Sequence, residues 1–435
     1  MIKGFRLPRL ALPRPGIDLS KWAVVACDQY TAEPEYWRAV AQEVGDAPST
    51  LHLIFPEVHL AAADAPQRIT RIQQAMRWYL ADGLLVDHEG AVYVERSADG
   101  RTRRGLMLEL DLDHYDFSVG STSLIRPTEG TIVARLAPRI AVRREAELEL
   151  PHVLVLIDDP QDTVIGPLAA QREALPTLYD TGLMQGGGHV TGRAVDAARG
   201  VAACSALAAL GDAKTFEARY DVAPGTPTML FAVGDGNHSL ATAKSIWDSV
   251  KARVGPDHPS RWALVEVENI HDPALHFAPI HRLLFDVKAD VRRSLAEAFG
   301  TRLTITDVLS GDAMRRRVRA APAAVHAAGL IGPGARFAVA EVTQPTDSLA
   351  LATYQSVIDR LMDQGGAREI DYVHGDDVLE RLATDAGDRI GLHLPTLGKS
   401  ELLKRVVHDG PLPRKTFSMG EAHEKRFYVE ARRIR

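Results

Sequence analysis

One stretch limits the possible folds more than any other: a short apolar run that passes through a glycine-rich polar turn into an amphipathic helix. Residues 229–233 are apolar without interruption, as in a strand that is buried on both faces. The turn Gly234-Asp-Gly-Asn-His-Ser239 follows, and beyond it apolar residues recur every three or four positions as far as residue 250, which is typical of a helix. A strand, a tight turn and a helix in this order place backbone N–H groups at the end of a sheet. The segment therefore predicts an α/β layer with a ligand site at the turn.

Strand and helix patterns alternate along the rest of the chain, and turn sequences at 87–90 and 97–100 favour an antiparallel meander. We therefore predict an α+β (mixed α/β) fold, in which mixed sheets are flanked by helices. The weakest patterns, at 320–324 and 329–334, suggest a division into residues 1–325 and 326–435. Strands are predicted at 22–26, 51–55, 84–86, 92–96, 105–112, 153–157, 263–268, 280–285, 369–373 and 390–394, and helices at 35–44, 66–80, 132–149, 194–210, 290–299, 347–363, 376–385 and 400–407.

The composition excludes several classes of protein. The chain has 51 Lys and Arg against 57 Asp and Glu, a net charge of −6, whereas a general nucleic-acid binder needs a basic field. No apolar run reaches the roughly 18 residues that a membrane helix needs, and the N-terminus has no apolar signal-peptide region. The two cysteines, Cys27 and Cys204, read as free thiols of a reducing compartment. We expect a cytoplasmic protein with a small-molecule partner, and the sequence leaves a homo-oligomer open.

The turn itself carries the residue types that phosphate chemistry needs. Gly234 and Gly236 allow a close approach of the backbone to a ligand, and the positive end of the following helix favours an anion such as phosphate. Asp235 cannot hold phosphate, so it would hold Mg²⁺ or orient an attacking hydroxyl. His238 would act as a general base or as a phosphate partner, and Lys244 would add positive charge.

A plainer interpretation of the same turn stays open. In it Asn237 or Ser239 only caps the helix, and the glycines only shape the turn. Asp28, which follows the predicted strand 22–26, has the same two interpretations: a functional carboxylate at a strand end, or an ordinary turn residue. The histidines at 271, 276 and 281 are spaced by five, which does not suit adjacent zinc ligands on a helix.

Residues 231–244 resemble the Asp-Gly-His-His-Arg signature of the domain-of-unknown-function family DUF1015. Further landmarks of that family follow in the same order along nearly the whole chain, so the sequence is identified as a member. These landmarks are the N-terminal residues 2–6, Asp28, and the segments 53–57, 125–131, 156–160, 279–282 and 413–417.

The family signature is in turn similar to a motif of the ParB/sulfiredoxin-like fold, which includes archaeal free serine kinases and binds nucleotide phosphates at a helix N-terminus. The resemblance implies a ParB/sulfiredoxin-like core and a nucleotide-dependent phosphotransferase. The acceptor would be a small hydroxylated metabolite such as free serine, and the cofactor ATP or ADP with Mg²⁺. Asp235, Gly236 and His238 match the signature, whereas Asn237 and Ser239 stand in place of its second His and its Arg.

On this basis Asp235, His238 and Asp28 are the predicted catalytic residues, with Asp28 as the base and Asp235 also as the metal ligand. The residues assigned to nucleotide binding are Gly234, Gly236, Asn237, Ser239, Lys244, Arg126, Arg282 and Lys415. The last four are basic residues, and each is a candidate to replace the missing arginine of the signature. Two alternatives remain: a phosphatase of small phosphometabolites, and a non-catalytic protein that binds a nucleotide or metabolite.

Overall fold

The structure is a computed structural model that describes residues 4–133, 136–385, 387–413 and 415–435. The chain divides into two compact units. The first contains the chain up to His276 together with Val406–Pro411 and Met419–Arg435, and the second contains Phe277–Arg405 and Leu412–Ser418. Mixed and antiparallel sheets with flanking helices confirm the predicted mixed α/β class.

The first unit is built on one mixed sheet. In spatial order the sheet contains β6 (Ile125–Pro127), β11 (Phe231–Asp235), β8 (Leu154–Ile157), β12 (Trp262–Asn269), β5 (Arg101–Asp111), β4 (Val92–Ala98), β10 (Gly188–Ala194) and β9 (Thr177–Leu183), with β1 (Phe5–Arg6) beside β5. Strand β11 is parallel to β6 and antiparallel to β8, and β8 is parallel to β12. The remaining pairs are antiparallel.

Helices and two small sheets complete the first unit. The helices are α1 (Leu19–Trp22), α2 (Pro34–Val44), α3 (Ala65–Ala81), α4 (Leu136–Arg143), α5 (Gly166–Ala170), α6 (Ala197–Leu210), α7 (Ala213–Tyr220) and α8 (Asn237–Val254). The small sheets pair β2 (Arg9–Pro13) with β3 (Leu85–Glu89), and β7 (Leu148–Glu149) with β20 (Arg432–Arg433).

The central strand β5 shows how the sheet is buried on both faces. Leu106, Leu108 and Leu110 pack into one apolar core, whereas Met107 packs into another on the opposite side. This alternation follows from the two-residue period of a strand. Because both faces need apolar side chains, the central strands read as nearly continuous apolar runs.

The second unit contains an antiparallel sheet. Its strands in spatial order are β14 (Leu303–Val308), β16 (Arg336–Thr343), β15 (Val325–Gly332), β18 (Ile390–His393), β13 (Phe277–Phe285) and β17 (Glu369–His374). Its helices are α9 (Val291–Phe299), α10 (Gly311–Arg319), α11 (Ala350–Asp363) and α12 (Asp376–Thr384). Helix α13 (Lys399–Asp409) and strand β19 (Phe417–Met419) lie where the chain passes from one unit to the other.

Several segments differ from the sequence-based prediction. The helix predicted at 132–149 ends at Arg143, and residues 148–149 form the strand β7. Residues 22–26 form no strand beyond a single bridge from Val25 to Phe427, and residues 51–55 contain a 3-10 turn, Thr50–His52. Both runs are apolar because their side chains fill a core, which periodicity cannot distinguish from a short buried strand. The glycine-rich stretch at 329–334 belongs largely to the interior strand β15, where a Cβ on Gly329 would overlap the Met314 side chain.

The predicted division at 325/326 falls within the second unit, at the first residue of β15. This strand pairs along its length with β16 and also with β18. In the part of the chain that the structure describes, no helix has both the length and the apolar character required to cross a membrane.

Candidate active site

The signature turn joins β11 to α8 as the sequence predicts. Gly236 caps the helix in the left-handed conformation, with φ at 78° and ψ at 24°, which a glycine adopts at little cost. A Cβ on Gly236 would lie 2.9 Å from the Cα of Val153, and one on Gly234 would lie 2.5 Å from the Met419 sulfur. Both glycines are therefore required where other segments of the protein approach the turn.

The first turn of α8 offers backbone donors. The first helical hydrogen bond runs from the Leu240 amide to the Gly236 carbonyl, at 3.0 Å, so the amides of the first turn point toward the helix N-terminus ahead of the helical ladder. The Asn237 Oδ1 is buried without a hydrogen-bond partner among the described residues. His238 accepts a hydrogen bond at Nε2 from the Ile132 amide, at 3.3 Å, which places this histidine against the loop that precedes α4.

Asp235 forms an ion pair with a lysine from the C-terminal segment. Its Oδ2 lies 3.1 Å from the Nζ of Lys425, whose side chain is only 9% exposed, and its Oδ1 accepts a hydrogen bond from the Gly236 amide at 3.0 Å. The carboxylate at the end of β11 therefore already faces a positive charge beside the helix N-terminus.

Asp28, His152 and Ser239 form a second polar group at the same helix end. The Ser239 Oγ lies 2.9 Å from the His152 Nε2, and the Asp28 Oδ2 lies 3.8 Å from the same nitrogen. Burial raises the pKa of Asp28, but the neighbouring His152, a hydrogen bond from Gln29 and the charge of Lys425 outweigh burial and hold this pKa below its ordinary value. Asp28 is therefore a carboxylate at neutral pH.

The direction of the hydrogen bond between Tyr428 and His152 sets which nitrogen of the neutral imidazole carries the proton. The Tyr428 hydroxyl accepts a hydrogen bond from the Cys27 amide at 3.1 Å and lies 2.7 Å from the His152 Nδ1. When the phenol donates its hydrogen to Nδ1, the proton of the neutral imidazole resides on Nε2. His152 then donates from Nε2 toward Ser239, and Asp28 is the group of the cluster best suited to accept a proton.

A buried charge network fixes the segment that carries Lys425 and Tyr428. The guanidinium of Arg426 donates to Glu266 at 2.8 Å and to Glu430 at 2.7 Å. Burial disfavours the charge of Arg426, but these two carboxylates outweigh it and raise the pKa of the guanidinium. Breaking such a buried pair is strongly destabilising, so the network holds the neighbouring site residues in place.

Two of the basic residues predicted to bind phosphate contact other groups of the first unit instead. Arg126, on β6, donates to the backbone carbonyls of Ser123 at 2.9 Å and Pro227 at 2.6 Å, and burial lowers the pKa of its guanidinium. Lys244 pairs with Asp248, four residues farther along α8, at 3.0 Å. This contact directs the Lys244 ammonium toward the C-terminal half of the helix.

The other two predicted cations belong to the second unit. Arg282 donates to Gln355 at 2.8 Å and to the Lys415 carbonyl at 2.9 Å, and it lies over the ring of Tyr372 at 4.8 Å. Lys415 itself is exposed. The geometry of the first unit therefore supports Lys425 as the cation beside the signature turn.

The second unit also holds a group of potential metal ligands: His281, Asp376 and His393. The two imidazole Nε2 atoms lie 2.9 and 3.1 Å from the same Asp376 oxygen, and hydrogen bonds from His281 and His393 lower the pKa of that carboxyl. His281 accepts the Leu394 amide at Nδ1, so its Nε2 carries the proton. A metal-ligating histidine normally donates from its other nitrogen, and the contacts favour a hydrogen-bonded cluster over a metal site.

No motif in the sequence marks His152, Lys425 or Tyr428 as site residues. His152 carries a weak signal, because it directly precedes the apolar run of β8 as Asp28 directly follows an apolar run. Lys425 and Tyr428 lie nearly two hundred residues beyond the turn in the sequence. Nothing in their local sequence indicates a contact with β11 or α8.

Three solved structures are similar to this chain, with low sequence identities and low TM-scores. A variant of a free serine kinase in complex with AMP has 13% identity, covers 77% of this chain and 94% of its own, and has a TM-score of 0.38. A conserved hypothetical protein from Pyrococcus furiosus has 13% identity, coverages of 76% and 95%, and a TM-score of 0.34. SbnI with a C-terminal truncation, from Staphylococcus aureus, has 10% identity, coverages of 71% and 85%, and a TM-score of 0.33. No ligand or activity follows from likeness at this level.

No curated protein matches the chain. The family model described as "Protein of unknown function (DUF1015)" matches residues 11–363, which is most of the chain and includes the signature turn, Asp28 and His152. The chain therefore belongs to the DUF1015 family.

Proposed function

We propose that this protein transfers a phosphoryl group from a nucleotide to the hydroxyl of a small metabolite. The observation that carries the proposal is the convergence of two polar groups at the N-terminus of α8. One is the Asp235–Lys425 ion pair and the other is the Asp28–His152–Ser239 group. Phosphoryl transfer needs positioning and neutralisation of charge more than covalent chemistry, and these groups supply both.

The phosphates of the nucleotide would bind at the first turn of α8. The amides of residues 237–239 and the positive end of an eighteen-residue helix favour an anion there. Lys425 adds the point charge that an arginine provides in the family signature. Lysine is a well-suited phosphate partner, although it lacks the bidentate geometry of arginine.

The acceptor hydroxyl would be oriented by Asp28. This carboxylate is ionised at neutral pH and lies beside the Nε2–H of His152, so it accepts the hydroxyl proton while His152 and Ser239 fix the hydroxyl position. Asp235 is the residue that would hold Mg²⁺, because it supplies carboxylate oxygens, the ligands that Mg²⁺ prefers, beside the N-terminus of α8. Bound Mg²⁺ would neutralise charge on the transferred group.

The proposal is tested by nucleotide consumption with ATP or ADP over a panel of amino acids and polyols. Asp28→Asn should lower turnover about 10²–10⁴-fold, the usual contribution of a general base. Lys244→Met is the matched control for Lys425→Met, because Lys244 lies on α8 but pairs with Asp248. The proposal fails if no acceptor is phosphorylated, or if the Asp28 and Lys425 variants retain wild-type turnover.

Hydrolysis of small phosphometabolites is a second candidate function. The 2.9 Å between the Ser239 Oγ and the His152 Nε2 is the distance expected between a hydroxyl and the base that activates it. This chemistry requires the opposite tautomer of His152, with Nε2 unprotonated. Phosphate release without any nucleotide, abolished by Ser239→Ala, would favour hydrolysis over transfer.

A further inference from the structure

A cavity of about 140 Å³ lies in the first unit, directly against the proposed site. Its lining includes His152 and Ser239, the residues proposed to position the acceptor hydroxyl. The cavity is therefore part of the same binding region.

The walls of this cavity are mainly apolar. The side chains that matter for its shape come from the loop before α3, from α3, α4 and α8, and from β12: Leu53, Phe55, Met76, Val142, Ala243 and Leu264. Protein interiors rarely leave voids of this size. An engineered apolar cavity of about 150 Å³ stays dry and binds benzene, so this volume suits a group about as large as a phenyl ring.

We propose that this cavity holds an apolar group of the acceptor substrate, which rests on the phosphotransferase function proposed above. The acceptor is then a hydroxylated molecule with an aromatic or branched aliphatic group, rather than free serine. Its hydroxyl lies at the polar end beside His152 and Ser239, and its apolar group fills the space between α4 and α8. Burying the apolar group supplies binding energy that serine cannot obtain here.

The ion pair of Glu57 and Arg139 also lines the cavity, with 2.5 Å between the charged atoms. An ammonium group would be attracted by Glu57 and a carboxylate by Arg139. A hydroxylated amino acid with an apolar side chain would therefore match the polar groups and the apolar walls at the same time.

The test measures binding of benzyl alcohol, β-phenylserine and serine by calorimetry without nucleotide, followed by phosphate transfer to each compound from ATP. Wild-type protein should bind β-phenylserine at least tenfold more tightly than serine. Ala243→Leu, which fills the cavity from α8, should remove at least tenfold of this preference. Ala252→Leu is the control, because residue 252 lies on the same helix but is exposed.

A second variant protects the test against misfolding of the first. Val142→Phe fills the cavity from α4, and the thermal midpoint of each variant without ligand shows whether it is folded. Equal affinities for serine and β-phenylserine, unaltered by either variant, would overturn the cavity proposal even if serine is phosphorylated. Tight binding of β-phenylserine without transfer would instead overturn the proposed function and leave the cavity site standing.

Discussion

The close packing of the signature turn can be tested with one substitution, Gly236→Ala. Gly236 has a φ of 78°, and a Cβ at this position would lie 2.9 Å from the Val153 Cα and 3.0 Å from the Val153 Cγ2. The Cα belongs to the backbone beside β8, so it cannot rotate away. The substitution therefore adds a steric cost to the cost of the left-handed conformation.

Gly83 provides the matched control for the conformational cost alone. It follows α3 with a φ of 63° and has no atom within 4 Å of an added Cβ. The Leu84 amide bonds to the Tyr79 carbonyl at 3.0 Å, the pattern of a left-handed helix end. Alanine in this conformation costs about 1–2 kcal/mol in either variant. Overpacking adds about 1–3 kcal/mol only in Gly236→Ala.

Tryptophan fluorescence during urea unfolding measures both variants in the relevant unit, because all five tryptophans precede residue 277 and therefore lie in the first unit. Gly236→Ala should lower the free energy of unfolding by about 1–3 kcal/mol more than Gly83→Ala does. Equal losses in the two variants would refute the close approach of Val153 to the turn.

Three further outcomes are expected. Lys425→Met should lower nucleotide-dependent turnover at least tenfold, whereas Lys425→Arg should restore part of it in the same assay, because Arg keeps the charge that faces Asp235. Burial, outweighing the attraction of Arg103, raises the pKa of Glu268 from 4.5 to about 8, so the folded protein holds a proton that the unfolded chain releases. The free energy of unfolding should therefore fall as pH rises from 4.5 to 8, and Glu268→Gln should reduce this pH dependence in urea unfolding. The same pH dependence in the variant would contradict the raised pKa of Glu268. Tyr428→Phe should cost about 1–3 kcal/mol in thermal or urea unfolding, because it leaves a buried partner unsatisfied.

Glycine is required in the signature turn for a different structural reason from the one that the sequence suggests. Gly-rich turns before helices often allow a ligand to approach the backbone, and the sequence suggests this role for Gly234 and Gly236, whereas the positive end of the helix suggests phosphate as the ligand. At Gly234 and Gly236 the approaching atoms belong to Met419 and Val153. The turn is packed by the protein, so the phosphate proposal depends on the helix amides, on Lys425 and on the polar groups rather than on glycine itself.

The sequence by itself determined the elements whose apolar pattern is long or strongly periodic. The helices α3 and α8 occur where the pattern predicts them, since this periodicity arises from local chain geometry. The strand β11 overlaps its predicted apolar run but lies two residues later, at Phe231–Asp235. It also determined membership of the family, because landmarks in fixed order do not require knowledge of the fold.

Only the tertiary structure decided which side chains meet at the turn. Lys425 and Tyr428 come to Asp235 and His152 from the end of the chain, whereas Arg126 is used by nearby carbonyls. Short apolar runs such as 22–26 were also decided by core packing. Local patterns record which residues are buried and how the backbone repeats, but contacts between distant segments depend on the complete packing of the sheet and helices, which no local pattern contains.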